Sequence, residues 1–403
     1  MSTMANDPRL IQEQSTGLLG ELLRRLRQAD LGALPVILGL VIIWVVFQIA
    51  NPLFLTPRNL TNLMLQIAAM GTIAIGVVLV LLLGEVDLSL GAVSGLAAAV
   101  MAVLNVKAGV PAPLAVLAGL VTGCAIGLLQ GWWIARLRVP SFIVTLAGQI
   151  GWTGALLYVL GNTGTVNLRD KFILGIAGTF LPDAVGWAIG ILFVVLFSAS
   201  IVRRRQRRQA AGLTVPGMQA LVARIVLIAI GVLGSIWIVN ADRGLPSAAI
   251  IFLGLIILFD YITRRTTWGR HVYAVGGNAE AARRASIGVG NIRVGVFALA
   301  TTLAATGGIL AASRLLAVNQ SSGSGELLLD TIAAAVIGGT SLFGGRGSVW
   351  AALLGALVIG SISNGMDLLA LASPIKYMIT GAVLLTAVTI DALARSQREA
   401  TGR

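Results

Sequence analysis

Polar positions are sparse along this chain, and apolar runs of about 20 residues, the length that crosses a hydrocarbon core as a helix, recur from end to end. They fall near 32–50, 62–83, 88–104, 112–135, 140–160 and 184–202, and again near 219–239, 245–263, 294–313, 328–344, 349–371 and 374–393. This pattern predicts an all-α fold, a polytopic transmembrane helix bundle of 10–12 spans. The lower count allows for two irregular places. The run ending at Gly344 is short and glycine-interrupted, and the runs flanking Glu85 are joined almost without a loop. Broken helices in transporters read this way. Residues 1–31 contain Asp7, Glu13, Glu21 and Asp30 and no apolar core, so they are expected to be a cytoplasmic segment rather than a cleaved signal peptide. Residues 32–393 then form a single transmembrane domain and 394–403 a cytoplasmic tail.

Composition narrows the class. Of 403 residues, 57% are apolar and only 11% charged, against roughly 25% charged in a soluble domain. So few charges cannot coat the surface of a water-soluble enzyme of this length. A net charge of +13 would suggest nucleic acid in a soluble chain, but here it sorts by loop. With the N-terminus inside, 22 of the 29 basic residues fall in cytoplasmic segments, as expected when Lys and Arg near span ends are retained in the cytoplasm. Both termini are therefore expected on the cytoplasmic side, and nucleic acid is not needed to explain the charge. The RRRQRR run (Arg203–Arg208) lies in a basic cytoplasmic loop, 203–218, and suits anionic headgroups of membrane lipid. One cysteine, Cys124, precludes an internal disulfide. One histidine, His271, leaves no His-ligated metal cluster.

Several polar features interrupt the apolar runs. LLLGEVDLSLGAVSG, residues 81–95, sets Glu85 and Asp87 between Gly84 and Gly91. An acidic group at membrane depth costs about 2.5–3.5 kcal/mol on insertion scales. Two readings stand: a break lining a substrate path, or a short turn in which Asp87 or Ser89 caps the next helix. A weak echo recurs at GGTSLFGGRGSVWAALLGAL, where Gly338, Leu342 and Gly345 align with Gly84, Leu88 and Gly91. Paired interruptions of this kind point to a transporter's central site. Gln66, Gln149 and Asn364 could hydrogen-bond a neutral polyol or a neighbouring helix. Gly119, Gly123, Gly127 and Gly131 form a stripe at every fourth residue, the pattern of a tight interhelical seam.

The cytoplasmic loop 264–293 contains a short helix by its grammar. Asn278 suits the N-cap, Glu280 the first turn, Arg283 and Arg284 the last, and Gly288 the stop. Two to three turns alone are marginal in water. Such a helix docks either on headgroups or, as a knob, on a cytoplasmic protein. No Walker A motif exists: the three lysines, Lys107, Lys171 and Lys376, follow Val106, Asp170 and Ile375 rather than glycine. ATP-driven transport would need an ATPase on another chain. Neither HExxH nor GxSxG occurs, so an intramembrane enzyme lacks a constellation. An ion-coupled secondary transporter is the rival from another class.

EVDLSLG, VPSFIVTLAG from Val139, GRHVYAVGGNAEAARRASIGV and AAAVIGGTSLFGG occur in that order, and together the chain resembles the permease subunits of bacterial ABC importers for ribose, arabinose, galactose and xylose, from about Asn59 to Asp391. GWWIARLRVPSFIVTLAG, RRRQRRQAAGL and WIVNADRGLPS point to the D-xylose branch. The resemblance implies a permease that is not itself an enzyme, in the bacterial inner membrane, translocating a monosaccharide by alternating access. It implies a second permease copy, a periplasmic sugar-binding protein and an ABC ATPase subunit carrying ATP-Mg, with no cofactor bound by this chain. The family's coupling loop maps onto Gly277, Asn278, Glu280, Ala281, Ala282, Arg283 and Gly288, with Arg284 a departure where relatives have an apolar residue. Gln66, Glu85, Asp87, Ser89 and Asn364 are the candidates for the substrate path.

Overall fold

A computed structural model describes residues 34–161, 164–213, 215 and 217–400. The N-terminal segment 1–31 and the last three residues of the tail lie outside the described residues. In chain order, α1 (Leu34–Ala50) is followed by α2 (Pro57–Leu82), α3 (Leu90–Val106), α4 (Ala112–Arg136), α5 (Ser141–Leu160), β1 (Thr165–Asn167), α6 (Lys171–Gly178) and β2 (Phe180–Leu181). Next come α7 (Asp183–Ala210), α8 (Met218–Asn240), β3 (Leu245–Pro246), α9 (Ser247–Arg265), α10 (Thr267–Gly277) and α11 (Ala279–Arg284). The chain ends with α12 (Val289–Leu315), β4 (Ala317–Asn319), α13 (Gly325–Ile337), α14 (Trp350–Leu368) and α15 (Ser373–Ala400). Local chemistry sets many of these bounds. Pro57 opens α2 beneath Thr56, whose Oγ1 accepts the Asn59 N–H, and Asp170 caps α6 by accepting from Phe172 and Ile173. Gly84 closes the α2 end in the left-handed region at φ +73°.

Among the described residues, eight helices are long and apolar enough to cross a membrane, and α1 and α3 are shorter apolar helices. The expected span near 328–344 is a half-helix instead. Helix α13 has 13 residues, about 20 Å at 1.5 Å per residue, and helix does not resume until Trp350. Gly339, Gly344, Gly345 and Gly347 all take positive φ between them, which no run of L-residues could follow. The RRRQRR stretch, expected in a loop, is the helical end of α7. Arg, Gln and Ala are strong helix formers, and nothing breaks the run before Gly212 at φ +69°.

The described chain falls into two compact units. One contains α7 and α8, which pack together where Gly190 meets Ile236 and where the Asn240 amide donates to the Asp183 carbonyl. Their other faces carry exposed Val, Leu and Ile, as lipid contact requires. The other unit runs from Val36 to Leu181 and from Leu245 onward. Its core is α2, buried along nearly its whole length, and α12, which packs on α2, α3 and α4. Two short antiparallel ladders finish its connections, β1 with β4 (Val166 opposite Val318) and β2 with β3.

The glycine stripe is the α4–α12 seam. A Cβ on Gly123 would sit 2.7 Å from the Thr301 carbonyl oxygen, one on Gly127 would be 2.7 Å from Ala298 Cα, and one on Gly131 would be 2.8 Å from Val294 Cα. Gly119 meets the Ala97 carbonyl of α3 in the same way. With lipid as apolar as leucine, close packing of this kind is what holds the helices together. Gly127→Val is expected to destabilise the bundle by about 1–3 kcal/mol through overpacking, read as a lowered thermal midpoint in detergent. Gly151→Ala and Gly154→Ala, on α5 with no neighbouring element within 4 Å of the added methyl, should leave the midpoint unchanged or slightly raised, since Ala favours helix over Gly.

Candidate functional site

The chemistry-bearing residues separate into two ends of the main unit. At one end, α10 and α11 form a helical projection between α9 and α12. Asn278 caps α11 as its sequence suggested, its Oδ1 accepting the Ala281 N–H at 2.9 Å, while Glu280 pairs with Arg283 at 2.5 Å and with Arg284 at 3.6 Å. These side chains are largely exposed and Ala282 is buried beneath them. Helix α11 is shorter than expected, six residues. Its stop is Ser286 at φ +62°, not Gly288. The Ile287 N–H reaches back to the Ala282 carbonyl and that of Ser286 to Arg283, a left-handed closure that leaves Gly288 as the residue before α12. Such a helix cannot stand alone in water.

What positions it is a set of backbone contacts between three glycine-bearing breaks. Gly276, in the last turn of α10, lies so close to the Leu82 carbonyl that no Cβ could be accommodated, and a Cβ there would also be 2.8 Å from the Gly345 N. On Gly344 a Cβ would be 2.7 Å from the Gly276 carbonyl oxygen and 2.8 Å from the Gly84 N, and on Gly345 it would be 2.9 Å from Gly277 Cα. The Gly345 N–H donates to the Leu82 carbonyl at 3.0 Å. Thus the end of α2, the end of α10 and the segment after α13 meet at one point. The two halves of the weak sequence echo, around Gly84 and around Gly345, are in contact with each other. Tyr273 Oη on α10 adds a 3.0 Å hydrogen bond to the Gly347 carbonyl, and Arg264 donates to Ser348 Oγ at 2.7 Å.

The other flank of the projection is tied to the same turn by charge. Glu85 Oε1 meets Arg293 Nη2 of α12 at 2.8 Å, with the side chains 14% and 28% exposed. Glu85 is therefore a paired carboxylate joining the α2–α3 turn to the helix that leaves α11. Asp87 is buried, its Oδ1 accepting from both the N–H and the hydroxyl of Ser89, and the Ser89 oxygen accepts in turn from the Gln130 amide of α4 at 3.1 Å. This is the helix-start reading of the motif, with Ser89 preceding α3. Among the described residues, Oδ2 of Asp87 meets no donor.

Asn364 and Gln66 lie toward the opposite end. The amides of Asn364 and Asn59 exchange two hydrogen bonds, 2.7 and 3.1 Å, and Asn59 also donates to the Phe54 carbonyl. Asn364 is thus committed to joining α14 to α2. Gln66, two turns along α2, is half-buried and makes no hydrogen bond within the described chain. The five path candidates do not form one site. Asn59 and Arg293, the partners that decide two of these roles, carry no local signal. Each pairs with a residue more than 200 positions away.

The Glu85–Arg293 pair should behave as a coupled unit. Glu85→Gln and Arg293→Gln are each expected to lower the thermal midpoint, with the double variant less destabilised than the two effects combined, a coupling of about 1–2 kcal/mol. Strict additivity in that double-mutant cycle would remove the pair from this account.

Comparison with known proteins places these features. A family model described as the branched-chain amino acid transport system permease component matches residues 59–388. The xylose transport system permease protein XylH of Escherichia coli K12 is 41% identical over 85% of this chain and 86% of its own length. XylH of Haemophilus influenzae is 36% identical over 91% and 98%, and the ribose import permease RbsC of Bacillus subtilis 32% identical over 88% and 91%. No solved structure matches. The family match covers nearly all of α2, α3 through α14, the α10–α11 projection and the glycine contacts described above. The chain belongs to the family of branched-chain amino acid transport system permease components, as a multi-pass inner-membrane transport subunit.

Proposed function

We propose that this chain is the membrane subunit of an ABC importer for a monosaccharide, D-xylose. A separate ATPase docks on α11, and a periplasmic sugar-binding protein and a second copy of the permease complete the assembly. The observation that carries this reading is the α11 projection. Its exposed Glu280, Arg283 and Arg284 give a partner polar handholds, while its two flanks are fixed to the α2–α3 turn by the glycine contacts and by Glu85–Arg293. A push on α11 therefore reaches the interrupted helices directly. Transmission needs such a continuous packed element with two possible arrangements. ATP with Mg²⁺ would be held by the partner, since this chain has no Walker A sequence.

The family description names branched-chain amino acids, whereas the relatives quoted above are xylose and ribose permeases. The higher identity to the xylose proteins, 41% and 36% against 32% for the ribose one, supports xylose. The L-arabinose permease AraH of Azospirillum brasilense, at 30%, keeps arabinose as a test arm.

In proteoliposomes containing the permease, its ATPase and its binding protein, labelled xylose is expected to accumulate only with ATP, ahead of ribose and arabinose. Accumulation without the ATPase, driven by an ion gradient, would overturn the importer reading. Replacement of Glu280 and Arg283 together by Ala should abolish co-purification of the ATPase or its coupling to uptake. Both side chains are exposed, so the fold should survive, and normal coupling in that variant would remove α11 from the docking surface.

A further inference from the structure

A cavity of about 360 Å³ lies in the main unit between the start of α3 at Gly91 and Ala92, the middle of α5, and the segment 320–324 that links β4 to α13. Its size is at the small end of ligand cavities, which run from roughly 300 to 1,000 Å³. Its polar lining is Gln149, Thr153, Gln320, Ser321, Ser322 and Ser324, with Leu156 and Leu328 as the larger apolar residues. Among the described residues no charged side chain lines it. Another concavity, about 730 Å³, is walled in part by Lys107, Arg169 and Asp170.

Amides and hydroxyls both donate and accept hydrogen bonds, which is what a ring of sugar hydroxyls demands. Gln149 and Thr153 stand four residues apart, and so on one face of α5. The Thr153 hydroxyl donates to the Gln149 carbonyl at 2.7 Å and retains its acceptor capacity. The amides of Gln149 and Gln320 make no hydrogen bond within the described chain, and they come from two different walls.

The wall opposite α5 is preformed. Gly323, at φ +73°, lies against the Gly91 carbonyl with no room for a side chain, and a Cβ on it would be 2.7 Å from the Gly95 N. Gly95 is as tightly placed against the Ser322 carbonyl. The segment is further held by Ser322 N–H to the Asn319 carbonyl, Ser324 N–H to Ser321 and Ser321 N–H to Asn319 Oδ1, each 3.0 Å. Glycine on both sides lets this segment enter against α3; the Ser322 hydroxyl accepts from the Asn319 N–H and donates to Asn319 Oδ1, and the side chains of Gln320, Ser321 and Ser324 are left for a ligand.

We propose that this cavity is a transit site for a neutral monosaccharide within the permease, with Gln149 and Gln320 supplying the orienting amide contacts. The inference rests on the sugar-importer reading above and adds where the sugar is held. The test uses the full complex with its ATPase and binding protein, and first establishes which sugar the wild type accumulates. In a Cys124→Ser background, Ser321→Cys is labelled with a maleimide. Labelling is expected to slow several-fold at high concentration of the transported sugar and not with leucine. The double variant Gln149→Leu, Gln320→Leu is expected to lose about tenfold in uptake per ATP hydrolysed, since each leucine strands sugar hydroxyls without partners, while assembly and stimulated ATPase persist. Gln149→Asn with Gln320 intact should retain most of the uptake. Labelling indifferent to the sugar, or uptake by the double variant within twofold of wild type, would overturn the site while the importer reading survives. Failure of the wild type to accumulate any sugar would sink the reading itself.

Discussion

The structure depends on close backbone contact at glycine. Inside a membrane every N–H and C=O must find a protein partner, so a helix can stop at depth only where another piece of backbone comes near enough to take its place. Here the stop after α2 and the irregular stretch after α13 do this for each other. Gly345 donates to Leu82, and Gly84, Gly276 and Gly344 keep the three strands of chain free of intervening side chains. The same device recurs where Gly91, Gly95 and Gly323 admit the 320–324 segment against α3, and along α4 where four glycines seat it on α12 and α3.

These contacts connect the outside of the bundle to its interior. Helix α11 is too short to be stable alone, and its place is set by what flanks it: Gly276 on the incoming side, Arg293 with Glu85 on the outgoing side. Both reach the α2–α3 turn. From there α3 runs beside the cavity bounded by α5 and the 320–324 segment. The α11 projection is thereby joined through a continuous path of packed elements to the interrupted helices.

Much of the architecture was legible along the chain because lipid leaves few choices. The apolar lengths foretold the long helices, the glycine spacing on α4 foretold its seam, and the motifs around Glu85, Val139, Asn278 and Gly338 foretold the family. Where local preference and membrane logic disagreed, local preference prevailed: RRRQRR continues α7 as helix because its residues favour helix and nothing stops them before Gly212. The length of α11 was misread because a glycine was expected at the stop, and Ser286 takes the left-handed conformation instead.

By itself, then, the sequence determined the class, the long helices and the short capped helix at Asn278, since each of these follows from residues within a few turns of one another. Only the tertiary structure decided what the polar residues do. Asn364 is satisfied by Asn59, Glu85 by Arg293 and Ser89 by Gln130, and Gln149 shares a cavity with Gln320. The energy of a polar group away from water depends on which partner reaches it, and partners this distant in the chain are brought together only by the packing of the whole bundle.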